Sequence, residues 1–471
     1  QDALAAIRAE NMGPLAALLA SDPLLAALAP EELSALVAAG TFETFEPGES
    51  VWSIGDPDED LCLMLSGSIV ISSGGELLRT ASAGEIITSI MSVLEALAGV
   101  PSVFKTITAR ADATDGASLL RIPAAAFRAV TESNASVLPQ LLEVILLKLS
   151  KVTFLTMYAY LGLTTELVAP QLPGESGPET KAEFGDESVA DAPGDSRDDN
   201  DDDQSVASSA ASSEAALIFD DVAVQLAEAL GIAPDSEAAR DLKRNLVLKQ
   251  AGPGKVVLKR GSNETELCLI VSGSLTVCMV SLEGAHVELY SAERGELCGQ
   301  LAVLTREPSL VHAYTRDGCV VAMVSRSLFW SLVDTAPTVL QHLAVDVLRR
   351  LSPLVRCLDF ALDWIHVRSG QWLYTHGEPA DAIYIVLSGR MRSVPAGEEA
   401  TRDAVAMEHG RGESLGELEM LAGVKRTKAA MAIRDAQLVR IRKETFAFIC
   451  ARFPVLALRF AGRMSRLALA A

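Results

Sequence analysis

Among the residues able to do chemistry, Ser414 stands out first, because Gly412-Glu413-Ser414-Leu415-Gly416 fits the GxSxG pattern of a nucleophile elbow. Such an elbow needs a strand–turn–helix setting, a base and an oxyanion hole. No glycine-rich segment with a following arginine is present to build that hole, and Gly74-Gly75 lacks it. Ser414 is therefore not expected to be catalytic. Seven cysteines (62, 268, 278, 298, 319, 357, 450) form no CxxC pair. Neither a zinc site nor a disulfide framework is expected; buried reduced thiols are. With 62 acidic residues against 40 Lys and Arg, the net charge of −22 argues against a nucleic-acid surface.

What positions the remaining candidates is a repeat. Gly48, Gly55 and Gly67 precede or close short apolar runs, and Gly254, Gly261 and Gly273, then Gly370, Gly377 and Gly389, do the same. In each copy the glycines are seven and then twelve residues apart, the last following an apolar run and a serine. Apolar runs bounded by glycines read as strands, with the glycines supplying turns at positive φ. A further Gly-Glu follows in each copy, at Gly84-Glu85, Gly295-Glu296 and Gly412-Glu413. Each copy ends on a helix marked by Ile122/Phe127, Val324/Phe329 or Ile441/Phe446, with the phenylalanine expected to pack the helix on the strands.

The fold class expected is mainly β with flanking helices (α+β), built as three tandem jelly-roll β-barrels. The expected domains are 1–168, with an exit helix, then 216–352 and 353–471. Between them, 169–215 reads as a linker; its Asp-, Ser- and Glu-rich composition predicts disorder and the first protease cut. Leu340 to Leu358 reads as a helical connector broken near Pro353. The chain begins at Gln1 and reads as a fragment or a processed protein; no run of about 18 uncharged apolar residues could span a membrane.

The glycine ladder with its terminal helix resembles the cyclic nucleotide-binding domain of kinase regulatory subunits, catabolite activators and gated channels. That resemblance implies a cassette similar to Phe-Gly-Glu-Leu-Ala-Leu, a gap, then Pro-Arg-Ala-Ala-Thr-Val. In it the glycine admits close backbone approach, the acid accepts from the ribose 2′-hydroxyl, and the arginine forks onto the cyclic phosphate. Copy three fits best: Gly416, Glu417 and Arg426 fall on the glycine, the ribose acid and the phosphate arginine, and Leu418 and Thr427 complete the candidate set. Lys425 replaces the proline, and Ala429 removes a threonine hydroxyl. The implied ligand is cAMP or cGMP; no cofactor and no metal is expected. In copy two the acid is Gln300 and the arginine Ser309, so that pocket reads as empty, with His312 a strand residue. In copy one Thr88 and Ser89 replace Gly-Glu, and Val103 falls near the arginine position, with Lys105 the alternative cation.

The segment from Lys151 to Leu167 resembles the helix exit of neuropathy target esterase and its patatin-like phospholipase relatives, as does an acidic, serine-rich linker after the first of three such domains. The resemblance implies an N-terminal membrane helix before this chain and a patatin domain with lysophospholipase activity after it. That domain would be the chain's own intramolecular partner. The chain itself would be regulatory or scaffolding, with no catalytic residue, on the cytoplasmic face of a membrane such as the endoplasmic reticulum and attached only through segments outside it. Asp115-Gly116-Ala117 looks like the patatin Asp-Gly-Ala, yet it precedes Ser414, the reverse of the patatin order. Two other readings remain: a stand-alone receptor like a kinase regulatory subunit, and a ligand-free scaffold. The first would need a basic Arg-Arg-x-Ser segment before its barrels, and none precedes the first of them.

Overall fold

The computed structural model describes residues 13–457 except 21, 23–24, 27, 100–103, 135, 170–212, 264–265, 281–284, 396–406 and 455. Most of the expected linker lies outside the described residues; a helix, Ser213–Ala229, begins three residues inside it. The content is mixed: curled antiparallel sheets, each followed by helices.

In residues 41–123 the 14-residue strand Asp60–Ser73 is the axis. It pairs with Glu76–Ser82, Ile86–Thr88, Thr108–Ala111 and Ala117–Pro123, with register shifts at Met64/Ser66 and Ile71/Ser72 that let it bend between faces. Residues 247–325 form two four-stranded sheets, and residues 362–442 a six-stranded one around the long strands Ala382–Pro395 and Lys428–Arg442. The repeat glycines do what their spacing predicts. Gly67, Gly273 and Gly389 have φ of 69°, 78° and 85°. A Cβ there would lie 2.2, 2.4 and 2.2 Å from the carbonyl oxygens of Gly116, Gly318 and Asp435, so no side chain fits. Phe127, Phe329 and Phe446 are buried, as is the apolar partner five residues before each.

The chain forms two compact units. One holds residues 170–280 and 286–336; the other holds 1–169 together with 337–471. The helix Thr338–Arg349, read from sequence as the end of the second domain, belongs with the latter. Its apolar face (Val339, Leu340, Leu343, Ala344, Val347) is buried, and Gln341 Nε2 donates to Leu97 O at 2.7 Å. The connector breaks before Pro353, where Ser352 caps the helix Pro353–Asp359 by accepting from Val355 N at 3.3 Å.

Within this unit the sheets of the first and third copies meet through a charge network. Arg79 lies 3.0 Å from Glu85 and 2.9 Å from Asp363, while Arg440 and Arg442 lie 2.7 and 3.2 Å from Asp363. Burial alone would raise the pKa of Asp363, but Arg79, Arg440 and Arg442 outweigh it and hold the carboxyl below its usual range. Glu85 is lowered in the same way, against burial, by Arg79 and Arg442. With lowered native pKa values the unfolded chain binds more protons. The network's stabilisation is then present above the unfolded values of about 3.9 to 4.3 and is lost as pH falls through the folded ones. Urea midpoints should therefore hold near pH 6 and fall steeply below about pH 4. Asp363→Asn should flatten that fall; an unchanged acid limb would contradict the assignment.

Candidate ligand-binding site

One backbone contact puts the three copies in register. Gly55, Gly261 and Gly377 each donate their N–H to a carbonyl across the sheet, that of Lys105 at 3.0 Å, Ser309 at 2.8 Å and Arg426 at 2.9 Å. These three residues therefore occupy one place in the fold. The expectation that Val103 falls near the arginine position is corrected: Lys105 holds it, and Val103 lies outside the described residues. Its cause is the longer helix after the first cassette, Ile90–Ala98, against Gln300–Thr305 and Glu417–Ala422.

In the third copy Gly416, at φ 78°, turns the strand Ser414–Leu415 into the helix Glu417–Ala422. A Cβ on Gly416 would lie 2.1 Å from Arg426 Nη1, so the guanidinium fills the space the glycine leaves. Arg426 is 1% exposed. It donates from Nη1 to Gly416 O at 2.8 Å and from Nη2 to Ala382 O at 2.6 Å, and lies 4.4 Å over the Tyr374 ring. Its Nε has no hydrogen-bond partner, and among the described residues no carboxylate makes an ion pair with it. Gly416 and Arg426 thus come together as the cassette requires. Glu417 is buried and turned elsewhere, accepting from Tyr160 Oη at 2.8 Å and from the Ser414 hydroxyl. Leu418 is half exposed, and Thr427 Oγ1 donates to Glu419 Oε1 at 2.5 Å.

The first copy places Lys105 in the same position with its own counter-ion. Lys105 Nζ is 2.7 Å from Asp58 Oδ1, both side chains are about 5% exposed or less, and the ammonium lies 5.2 Å from the centre of the Trp52 ring. Ser89 has become a helix cap, accepting from Ser92 N at 3.3 Å. In the second copy Gln300 donates to Leu297 O at 2.7 Å, and Ser309 to Val311 O at 2.9 Å. A cavity of about 200 Å³ lined by Leu258, Lys259, Ser262, Glu266, Gly299 and Ser309 lies where the arginine stands in the third. His312 accepts from Arg260 N at 3.3 Å at the start of the strand His312–Tyr314, and burial, then His286, lowers its pKa.

Sequence reasoning missed the aromatic under the cation. Three residues before the second repeat glycine stand Trp52, Leu258 and Tyr374. The ring is present in the two copies that keep a cation and absent in the one that has serine, a signal legible in the repeats. Ser414 sits in a strand with its hydroxyl on Glu417, and Asp115 is exposed in the first copy. The chain should show no serine-dependent turnover of phenyl valerate or lysophospholipid; hydrolysis lost in Ser414→Ala would overturn this assignment.

Residues 248–336 and 364–453 match the family model for the cyclic nucleotide-binding domain. Neuropathy target esterase sws of Drosophila virilis is 27% identical over 89% of this chain and 34% of its own length. The chain is similar to the neuropathy target esterases. Patatin-like phospholipase domain-containing protein 7 of Rattus norvegicus is 26% identical over 89% of this chain and 38% of its own. The chain thus spans about a third of these esterase relatives. Among solved structures, the cAMP-bound regulatory domain of Toxoplasma gondii PKA is similar at 15% identity, covering 53% of this chain and 97% of that chain with a TM-score of 0.23. No helix among the described residues is long and apolar enough to cross a membrane.

Proposed function

We propose that this chain is the regulatory region of a longer patatin-like lysophospholipase, with three cyclic nucleotide-binding-type barrels in tandem of which the third takes a cyclic nucleotide. The observation carrying this reading is Arg426, a guanidinium 1% exposed with two carbonyls, a ring and, among the described residues, no carboxylate in an ion pair with it. A buried charge without a counter-ion is costly, and a cyclic phosphate is an anion that would offset it through charge-assisted bonds. Lys105, at the same place in the first barrel, already has Asp58, and the second barrel has Ser309 there. cAMP and cGMP are the ligands of this class. The hydrolase domain, any membrane anchor and attachment to the cytoplasmic face of the endoplasmic reticulum belong to segments beyond this chain. A ligand-free scaffold is the competing reading, favoured by the internal partners that Glu417 and Arg426 already have. Equilibrium dialysis of the whole chain against cAMP and cGMP decides between them: retention of either supports the receptor, and no retention at millimolar nucleotide leaves the scaffold.

A further inference from the structure

The partner of Glu417 comes from far away in the chain. Tyr160 ends a segment that follows the helix Val137–Lys148 and is wound as π-helix over Leu149–Phe154 and Thr156–Tyr160. π-Winding is rare and usually limited to a single turn. Here it buries Thr153 and Thr156, at 0% and 1% exposure, with no hydrogen-bond partner for either hydroxyl. Unsatisfied hydroxyls in a loosely wound helix disfavour this conformation, so contacts outside the segment must hold it. It packs on Pro353–Asp359 and Leu362–Val367 of the third barrel's side of the unit. At its end Met157, Tyr158 and Tyr160 are buried, and Tyr160 Oη reaches Glu417 Oε1 at 2.8 Å.

We propose that Tyr160 and Glu417 form a latch: the exit segment of the first barrel holds the carboxylate in the third barrel's cassette, and a ligand hydroxyl must displace it. The ligand half of this statement rests on the reading above; the latch itself does not. Tyr160 and a ribose hydroxyl are both O–H donors competing for the same carboxylate, one from a segment otherwise poorly satisfied. Occupancy of the third barrel would then free the segment from Leu149 to Leu163, and linkage requires that the segment weaken the ligand by the factor by which the ligand weakens the segment. Tyr160→Phe should accordingly tighten nucleotide binding by about tenfold, the fold-change of a hydrogen bond to a charged group at the low end of its range.

Hydrogen exchange on the whole chain tests the latch, with the peptide covering 149–163 as the readout. Tyr160→Phe and Glu417→Ala should each raise its exchange several-fold while the strands of the first barrel stay protected. Wild-type protection in Tyr160→Phe overturns the latch whatever the ligand does. Saturating cAMP or cGMP on the wild type should reproduce the rise, and bound nucleotide with the peptide still protected overturns the competition. Nucleotide bound by Tyr160→Phe but not by wild type supports it. If neither protein binds, the receptor reading fails, and the latch stands or falls on the exchange of the two unliganded variants.

Discussion

Arg426→Ala should reduce cyclic-nucleotide affinity some tens- to thousands-fold, the equivalent of roughly 2–5 kcal/mol for removing one member of a buried charge pair. The effect is large because Arg426 is the cation buried against the cassette glycine. The arginine lies against Gly416 and Ala382 carbonyls, and the neighbouring Thr427 is engaged with Glu419. Arg426→Lys separates charge from geometry, since it keeps the cation and loses the two-pronged fork. An intermediate affinity is expected for it, and affinity equal to wild type would show that the fork is not used. Fluorescence anisotropy with a labelled cyclic nucleotide reads both variants.

Asp58→Ala should destabilise the first copy by about 3–5 kcal/mol, because it leaves Lys105 buried and unpaired. With both side chains about 5% exposed or less and Nζ 2.7 Å from Oδ1, water is poorly placed to replace the carboxylate. The double change Asp58→Leu with Lys105→Met removes both charges and should recover most of the loss, since an apolar pair of similar volume is often neutral or better. Urea denaturation followed by tryptophan fluorescence reads it, with Trp52 against the lysine as a local probe. A single variant as stable as wild type would mean the pair is not the enclosed contact its geometry indicates.

Much of the fold was legible because its constraints are local. Positive φ at Gly67, Gly273 and Gly389 follows from a close backbone approach that repeats with the spacing, and the phenylalanine of each terminal helix follows from an amphipathic period. Gly416 and Arg426 were legible as a pair through the resemblance of their ten-residue stretch to the family's cassette. In the first copy the nine-residue helix Ile90–Ala98 replaces a six-residue one, so counting along the chain misses Lys105 where the sheet does not. Tyr160 and Glu417 are 257 residues apart, and no local pattern links them; packing alone brings them together. The helix Thr338–Arg349 shows an apolar face in sequence but not what that face covers.

One calorimetric titration of the whole chain with cAMP and with cGMP bears on the central claim most directly, because it counts sites. One cation, Lys105, has its own counter-ion, the second copy has serine, and among the described residues Arg426 makes no ion pair with a carboxylate. The expected stoichiometry is therefore one nucleotide per chain. It should be unchanged in the variant carrying Asp58→Leu with Lys105→Met, and binding should be lost in Arg426→Ala. Two or three nucleotides per chain, or binding undiminished in Arg426→Ala, would contradict the account.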